Sequence, residues 1–182
     1  MILPGVIASS GGVASSYESI QTYTVGSGGV ANFSFTSISQ SYSHLQMRIL
    51  VGSTTGDSFY FQFNTDTGNN YMFHRLMGNG TTATAGASGT STNVIAIGSG
   101  TGFPSATSTY GAAVLDILDY TSTNKNKTVR TLSGYDANGT GGISLDSGLW
   151  FATPAAITSI KITSASGSIR QYSSFALYGV KA

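Results

Sequence analysis

Short runs of alternating apolar and polar residues, separated by turns rich in glycine, serine and asparagine, recur along the chain. The clearest are HLQMRILV (His44 to Val51) and SFYFQF (Ser58 to Phe63), in which the apolar residues fall on one face of an extended strand. No segment shows a helical period of 3.6 residues with caps. Roughly ten or eleven such runs, spaced by turn signals, predict an all-β fold. We expect an antiparallel β-sandwich of jelly-roll type with a short extended N-terminal arm.

The domain organisation follows from the unbroken spacing of these strands. It predicts one β-sandwich domain over residues 15–182, preceded by an arm over residues 1–14. The arm is apolar, is interrupted by Pro4 and Gly5, and lacks the basic region that begins a secretory signal. Either the arm has no role, or it docks onto a partner. The residues expected to make that contact are Ile2, Leu3, Val6 and Ile7.

The charge content bounds the class of partner. The 182 residues include 8 Lys+Arg and 7 Asp+Glu, a formal net charge of +1, and charged residues make up 8% of the chain. This balance offers no field that would attract nucleic acid or an anionic membrane, so we expect neither as a partner. A surface made mainly of Ser, Thr, Asn and Gly can lie close to neighbouring molecules because few ions must be desolvated. The composition therefore favours a crowded assembly or an extracellular particle.

The segment FNTDTGNNYMFHRL, Phe63 to Leu76, concentrates polar residues in one place. Asp66 and Gly68 loosely resemble a calcium loop, but one carboxylate is too few for a calcium site. The favoured interpretation is a turn in which Asp66 bonds its own backbone and Gly68 adopts positive φ. On the strand that follows, alternation places His74 and Arg75 on opposite faces. We expect these two residues to serve packing or a subunit contact.

Catalytic and metal sites are not favoured by the remaining polar residues. Asp116 and Asp119 have a spacing of three, which places them on opposite faces of a strand rather than together as in a glycosidase. Ion pairs with Arg130 or Arg48 are an equal alternative. Two histidines at unrelated positions and no cysteine make a zinc site improbable, and no nucleophile elbow or phosphate loop occurs. We therefore expect no catalytic residue, no cofactor and no metal ion.

Two further groups of residues each have an ordinary structural interpretation. Lys125, Lys127 and Arg130 form the one basic concentration, and three charges at a turn are typical of a solvated loop tip. Trp150 fits an anchor of the sandwich core. Exposed aromatic rings can also stack on sugars, which keeps glycan binding as an alternative.

Several phrases distributed over the chain carry a resemblance. They are LPGVIAS, YESIQTYTVGSGG, FTSISQSYSHLQMR, FNTDTGNNYMFHRL, LDILDYTSTNKNKTVRTLSG and QYSSFALYGVKA. Together they resemble a group of small virion structural proteins of tailed bacteriophages. The resemblance implies a non-enzymatic β-sandwich assembled on the particle as a homotrimer, and it supplies no catalytic residues.

The functional expectation combines this resemblance with the residues. We expect a capsid decoration (cement) protein on the outer surface of the phage head, in contact with the major capsid protein or another virion protein through its arm. The alternative is a tail or fibre module that binds a glycan of the host surface. An enzyme that cleaves glycans would need two carboxylates facing each other in a cleft.

Overall fold

The chain folds into β-strands with no helix in the described residues. A computed structural model describes residues 16–88, 92–98 and 102–181. The expectation of an all-β fold is confirmed, with twelve strands rather than ten or eleven. They are β1 (Tyr17–Thr24), β2 (Asn32–Phe35), β3 (His44–Val51), β4 (Phe59–Phe63), β5 (Tyr71–Gly78), β6 (Ala83–Ala87), β7 (Ile95–Ile97), β8 (Gly111–Ile117), β9 (Lys127–Asp136), β10 (Gly141–Trp150), β11 (Ile160–Ser164) and β12 (Ser174–Val180).

Two antiparallel sheets form the predicted β-sandwich. The large sheet has eight strands in the order β1-β12-β3-β8-β9-β10-β5-β6, and the small sheet has four in the order β2-β11-β4-β7. The jelly-roll connectivity stays a prediction, as does the boundary between arm and domain. The arm residues Ile2, Leu3, Val6 and Ile7 lie outside the described part of the chain.

The core lies between the facing sides of the two sheets. Strand β3 buries its four predicted residues, from Leu45 to Val51, and turns Gln46 and Arg48 away from the core. Strand β4 contributes three fully buried phenylalanines, as its alternation predicts. Trp150 is buried beside Phe63, with ring centroids 5.7 Å apart, so its expected role as a core anchor is confirmed.

Two turn regions compare differently with the sequence prediction. The Asn138-Gly139 dipeptide joins β9 to β10 with φ of 57° and 94°, the positive values that such a dipeptide favours. By contrast, the segment from Gly78 to Ser91 is rich in Gly, Thr and Ala and carries no charge, which predicts a loop, yet it contains β6, which pairs with β5. Alanine, glycine and threonine give β6 little strand signal. Its pairing with the edge of the large sheet supplies the structure that its own propensity does not.

Candidate contact surface on the large sheet

The hairpin of β9 and β10 turns polar residues toward the core and aliphatic residues outward, and we call it the reversed hairpin. Asp146 and Ser144 of β10 point toward the core side and are buried, while Ile143 and Leu145 of the same strand point outward. On β9, Leu132 likewise faces outward with 52% of its surface exposed. A half-buried strand ordinarily places its apolar residues inside. The parity of β10 is set at its end by Trp150, whose burial commits every second residue before it to the inner side.

The outward aliphatic residues of neighbouring strands join into one surface, which we call the outer leucine face. The register places Leu132 opposite Val114 on β8 and opposite Leu145 on β10, and Leu145 opposite Leu76 on β5. Cross-strand partners on one face are in side-chain contact range. The six exposed aliphatic residues of this face are Leu50, Leu76, Val114, Leu132, Ile143 and Leu145.

A second row crosses the same face one pair nearer the β9–β10 turn, and we call it the glycine row. Its members, in strand order from β3 to β5, are Leu50, Ala112, Gly134, Ile143 and Gly78. Because glycine has no side chain, the surface sinks around Gly134 and Gly78. The result is a groove of about 680 Å³ that is walled on one side by the turn from Asp136 to Gly141.

A polar row borders the leucine residues on the other side. It runs from β3 to β5 as Gln46, Asp116, Arg130, Ser147 and His74. The Gln46 amide donates to Asp116 at 2.9 Å, and the Arg130 guanidinium lies 3.4 Å from the same carboxylate. The predicted pairing of Asp116 with Arg130 is therefore present. Arg48 donates from Nε to the Gln46 amide oxygen at 3.0 Å, so Gln46, Asp116 and the two arginines form one connected polar network.

Arg48 also lies against two tyrosine rings at the β1 side of the face. Its guanidinium carbon is 4.8 Å from the ring centre of Tyr178 and 5.3 Å from that of Tyr17. These contacts hold the Arg48 side chain along the sheet rather than out in solvent.

The two residues predicted for a subunit contact are separated by the sheet. His74 is exposed on the outer face, flanked along the strand by Met72 and Leu76, as its parity predicts. Arg75 points to the opposite side, where the register places it across from Asp146. The structure therefore brings His74, and not Arg75, to the outer leucine face.

A buried polar patch lies on the inner side of the reversed hairpin. Asp146 Oδ2 accepts hydrogen bonds from Ser144 Oγ at 2.8 Å and from Thr131 Oγ1 at 3.2 Å. Its other oxygen, Oδ1, is buried without a hydrogen-bond partner in the described part of the chain, as is Ser133 Oγ. Burial raises the pKa of the Asp146 carboxyl above its ordinary value, although the two hydroxyls and the charge of Arg75 act in the other direction.

The segment that includes Asp66 is a turn, as predicted, and its carboxylate organises it. Oδ1 accepts the Gly68 N–H at 2.9 Å, and Oδ2 accepts the indole N–H of Trp150 at 2.7 Å. Partial burial alone would raise the pKa of Asp66, but hydrogen bonds from Trp150, Asn70 and Gly68 outweigh it and lower that pKa. The expectation of positive φ at Gly68 is wrong. The positive values occur at Asn64 and Thr65, and a side chain at Gly68 would instead meet Asn70.

In the basic concentration after β8, Lys125 and Arg130 are exposed, as expected of a solvated loop tip, but Lys127 is not. Lys127 is buried, and its ammonium group donates to the carbonyl oxygens of Ser122 and Lys125 at 2.5 and 2.6 Å. Burial lowers the pKa of Lys127. The Lys125 ammonium pairs with Asp119 at 2.7 Å, and that contact lowers the pKa of the Asp119 carboxyl. These residues hold a loop together, and only Arg130 of the three reaches the outer face.

The carboxylates weighed as catalytic candidates occupy separate structural settings. Asp116 belongs to the polar row, Asp119 to the loop after β8, and Asp66 to the turn before β5. His44, which has no acidic neighbour in sequence, accepts the Asp119 backbone N–H at 2.9 Å through Nδ1. In residues 16–88, 92–98 and 102–181, no group of three or more His, Cys, Asp or Glu side chains is placed to hold a metal ion. The same residues contain no helix long and apolar enough to cross a membrane.

One feature of the sequence could have predicted the reversed hairpin, although the assignment of strands did not take it into account. In ISLDSGLWFA, alternation assigns Ile143 and Leu145 to one face and Asp146 and Trp150 to the other. Since both faces of β10 carry apolar residues, the pattern conflicts with a strand that is half in water. Comparison of the chain with family models, with curated proteins and with solved structures gave no match.

Proposed function

We propose that this chain is a non-enzymatic structural protein of a tailed-bacteriophage virion, acting as a capsid decoration (cement) protein on the outer surface of the head. The observation that carries the proposal is the outer leucine face, which exposes six aliphatic side chains on neighbouring strands. A contiguous apolar surface of this kind is typical of a protein–protein contact. The phage setting comes from the resemblance of the sequence phrases to virion proteins.

The low content of charged residues supports a role as a subunit of a larger assembly. With charged residues at 8% of the sequence, a contact can be made almost anywhere on the surface with little desolvation of ions. The outer leucine face then supplies the apolar part of a contact whose rim is the polar row. His74 belongs to that rim, and Arg75 supports the sheet from the inner side.

Attachment to the particle is assigned to the arm. Ile2, Leu3, Val6 and Ile7 would dock in an apolar groove of the major capsid protein or of a neighbouring subunit. A protein that binds the assembled lattice and not the free shell subunits stabilises the assembled state by linkage. Homotrimers, expected from the resemblance, would suit such a role because closed symmetry makes the contacts self-limiting.

The deciding measurement is the copy number of the chain in purified virions of the phage that encodes it, by quantitative mass spectrometry. Hundreds of copies per particle are expected for decoration. A count of a few to a few dozen would place the protein in the tail and overturn the decoration role. Virions carrying a chain without residues 1–12 should lose the protein from the particle, while the purified variant keeps the circular dichroism spectrum of the full chain. Full occupancy by that variant would overturn the role of the arm.

The second candidate is a tail or fibre module that binds a host glycan, and exposed tyrosines favour it. Tyr172 is 68% exposed and Tyr17 is 41% exposed. They lie at opposite ends of β12, because Tyr17 pairs with Val180 and Tyr172 precedes Ser174. Two rings so far apart do not make one stacking platform. Saturable binding to host polysaccharide that is lost on Tyr172→Ala, but not on Leu132→Lys, would favour this candidate over decoration.

A further inference from the structure

The glycine row of the outer leucine face has a pattern of large and small residues that is complementary to itself. In the glycine row, Leu50 lies two strands from β9 on one side, and Gly78 lies two strands away on the other. On the strands next to β9, Ala112 of β8 lies on the same side as Leu50, and Ile143 of β10 lies on the same side as Gly78. A two-fold axis running along β9 exchanges the two sides. It would place Leu50 over Gly78 of a second chain, and Ile143 over Ala112.

From this pattern we propose that the outer leucine face is covered by the same face of a second copy of the chain, with the two-fold axis along β9. Leu132 lies on the axis in this arrangement and meets its own copy, while Val114 meets Leu145. The groove of about 680 Å³ around Gly134 gives the partner's Ile143 room to enter beside Ala112. The proposal rests on the function proposed above, in which this face is a contact surface, and adds the identity of what covers it.

The charges of the face are compatible with being covered. Asp116 accepts from Gln46 and lies beside Arg130, and Asp136, at the turn that walls the groove, accepts the Asn138 N–H. Arg48 pairs with Val114 in the register, so the axis places it over Leu76 of the second copy, where it keeps its hydrogen bond to Gln46 and its contact with the Tyr178 ring. Covering the face therefore strands no unpaired carboxylate, which is the costly event when a charge is buried. The same axis brings Asp116 opposite Ser147 of the second copy, a hydroxyl that can donate to it. Arg130 meets its own copy on the axis, and the Asp116 carboxylate beside each guanidinium offsets the repulsion between the two.

The size of the paired surface lies at the lower end of specific interfaces. An axis along β9 pairs seven strands, three on each side of β9. At a spacing of about 4.8 Å they span about 29 Å, and strands of about seven residues rise about 20 Å, for a surface of about 600 Å². Specific interfaces bury about 600 to 1,000 Å² on each partner. Sheets also pack face to face over aliphatic side chains inside proteins, at about 10 Å separation. A two-fold contact of this kind, combined with the three-fold contact that the resemblance implies, would give a hexamer with both symmetries.

The test uses single cysteines, because the natural chain has none and any disulfide must join introduced residues. Leu132→Cys, on the axis, is expected to form a disulfide-linked dimer under mild oxidation. Ser34→Cys, exposed on β2 of the small sheet, is the matched control. Since neighbours held in a complex have effective concentrations in the millimolar range, Leu132→Cys should cross-link at least about tenfold faster than the control at micromolar protein. Equal rates for the two variants would overturn the proposal.

A mixture of two variants tests the direction of the axis. Ala112→Cys and Ile143→Cys should cross-link with each other faster than either does with itself, since the axis opposes one to the other. If each variant instead links mainly to itself, the axis along β9 is wrong. All four positions are exposed, so the variants are expected to fold, and a far-ultraviolet circular dichroism spectrum checks this.

A charge on the face separates this inference from the function on which it rests. Leu132→Lys should convert the pair to single chains in sedimentation equilibrium, with Ser34→Lys as the control that stays paired. If the natural chain sediments as single chains, or as trimers without even-numbered species, the self-pairing is overturned. If Leu132→Lys then also loses particle binding, the face remains a contact for another virion protein. Unchanged particle binding by that variant would count against the face as a particle contact, whatever its state in solution.

Discussion

Strand β3 and the β9–β10 hairpin lie in one sheet and treat the two sides of that sheet in opposite ways. Strand β3 buries Leu45, Met47 and Ile49 and turns Gln46 and Arg48 outward. The hairpin buries Asp146 and turns Leu145 outward. The same solvent cannot favour both arrangements if the outer side is always wet. The difference supports the proposal that the outer side of β9 and β10 is covered in an assembly and that the polar part of β3 lies at the border of the covered surface.

The inner side of the hairpin gives the matching half of this contrast. The Asp146 carboxylate is buried, and one of its oxygens has no partner among the described residues. This is costly to a free sandwich, and the two hydroxyls that contact the other oxygen offset only part of the cost. We call the rest of the sandwich, where strands such as β3 and β4 bury their apolar side, the conventional half. Its core, with three fully buried phenylalanines on β4, supplies the stability that the hairpin lacks. Predictions that treat the two halves separately therefore test the comparison directly.

The largest expected effect is the difference between two leucine truncations on nearby strands. Leu115→Ala removes a fully buried side chain from β8 and should lower the free energy of unfolding by about 2–5 kcal/mol. Leu145→Ala removes an exposed side chain from β10 and should change it by no more than about 0.5 kcal/mol in dilute single chains. Urea unfolding at submicromolar concentration measures both.

The same two variants should also differ in how their stability depends on protein concentration. Leu145→Ala should then lose the stabilisation that the natural chain gains from association, while Leu115→Ala should keep it. A Leu145→Ala variant as unstable as Leu115→Ala at every concentration would show that the outer side of β10 belongs to the core of the single chain.

The next effect concerns Asp66, the carboxylate of the conventional half, which has a full set of partners. Asp66→Ala leaves the buried indole N–H of Trp150 without its acceptor and should cost about 1–3 kcal/mol. Because Trp150 is the one tryptophan of the chain, its fluorescence reports the local change as well as unfolding. Asp66→Asn, which retains one acceptor oxygen, should lose less. Hydrolytic activity present in the natural chain and lost in Asp66→Ala would contradict the structural role.

Alternation in the sequence was sufficient to predict the conventional half of the sandwich. In HLQMRILV and SFYFQF the apolar residues fall on one parity, so the buried side follows from the pattern. The turn at Asn138-Gly139 followed from the need for positive φ, and Trp150 as a core anchor from its size. In each of these places local preference and tertiary packing agree.

The outer leucine face was not predicted, for a physical reason. In β9, Val129 and Leu132 fall on opposite parities, so periodicity does not assign an inner side. The surface also depends on register among five strands that are distant in sequence, and one strand's pattern does not contain that register. Burial of Lys127 escaped prediction in the same way, since the carbonyl groups that bind its ammonium are set by the fold of the loop.

A smaller effect, of opposite sign in the two halves, is expected from pH. The folded pKa of Asp146 is raised, so stability falls as pH rises from the ordinary value of 3.8 to the raised value. The folded pKa of Asp66 is lowered, so its contribution is complete above 3.8 and is lost as pH falls through the lowered value. The stability of Asp146→Asn relative to the natural chain should therefore increase as pH rises. The stability deficit of Asp66→Asn relative to the natural chain should disappear in acid. Urea midpoints from pH 3 to 8 measure both, and parallel curves for Asp146→Asn and the natural chain would contradict the buried carboxyl.

The smallest effect is expected at the border between the halves, where Arg130 lies beside Asp116. The pair is 3.4 Å apart and Arg130 is largely exposed, so Arg130→Gln should change the unfolding free energy of the single chain by less than about 1 kcal/mol. Association should respond differently, because covering the face would desolvate Asp116 with one of its partners gone. We therefore expect Arg130→Gln to weaken self-association in sedimentation equilibrium while the urea midpoint of the dilute chain stays close to that of the natural protein. If Arg130→Gln left self-association as strong as in the natural chain, the polar row would lie outside the contact. The covered surface would then be limited to the leucine and glycine rows of the reversed hairpin and its neighbouring strands.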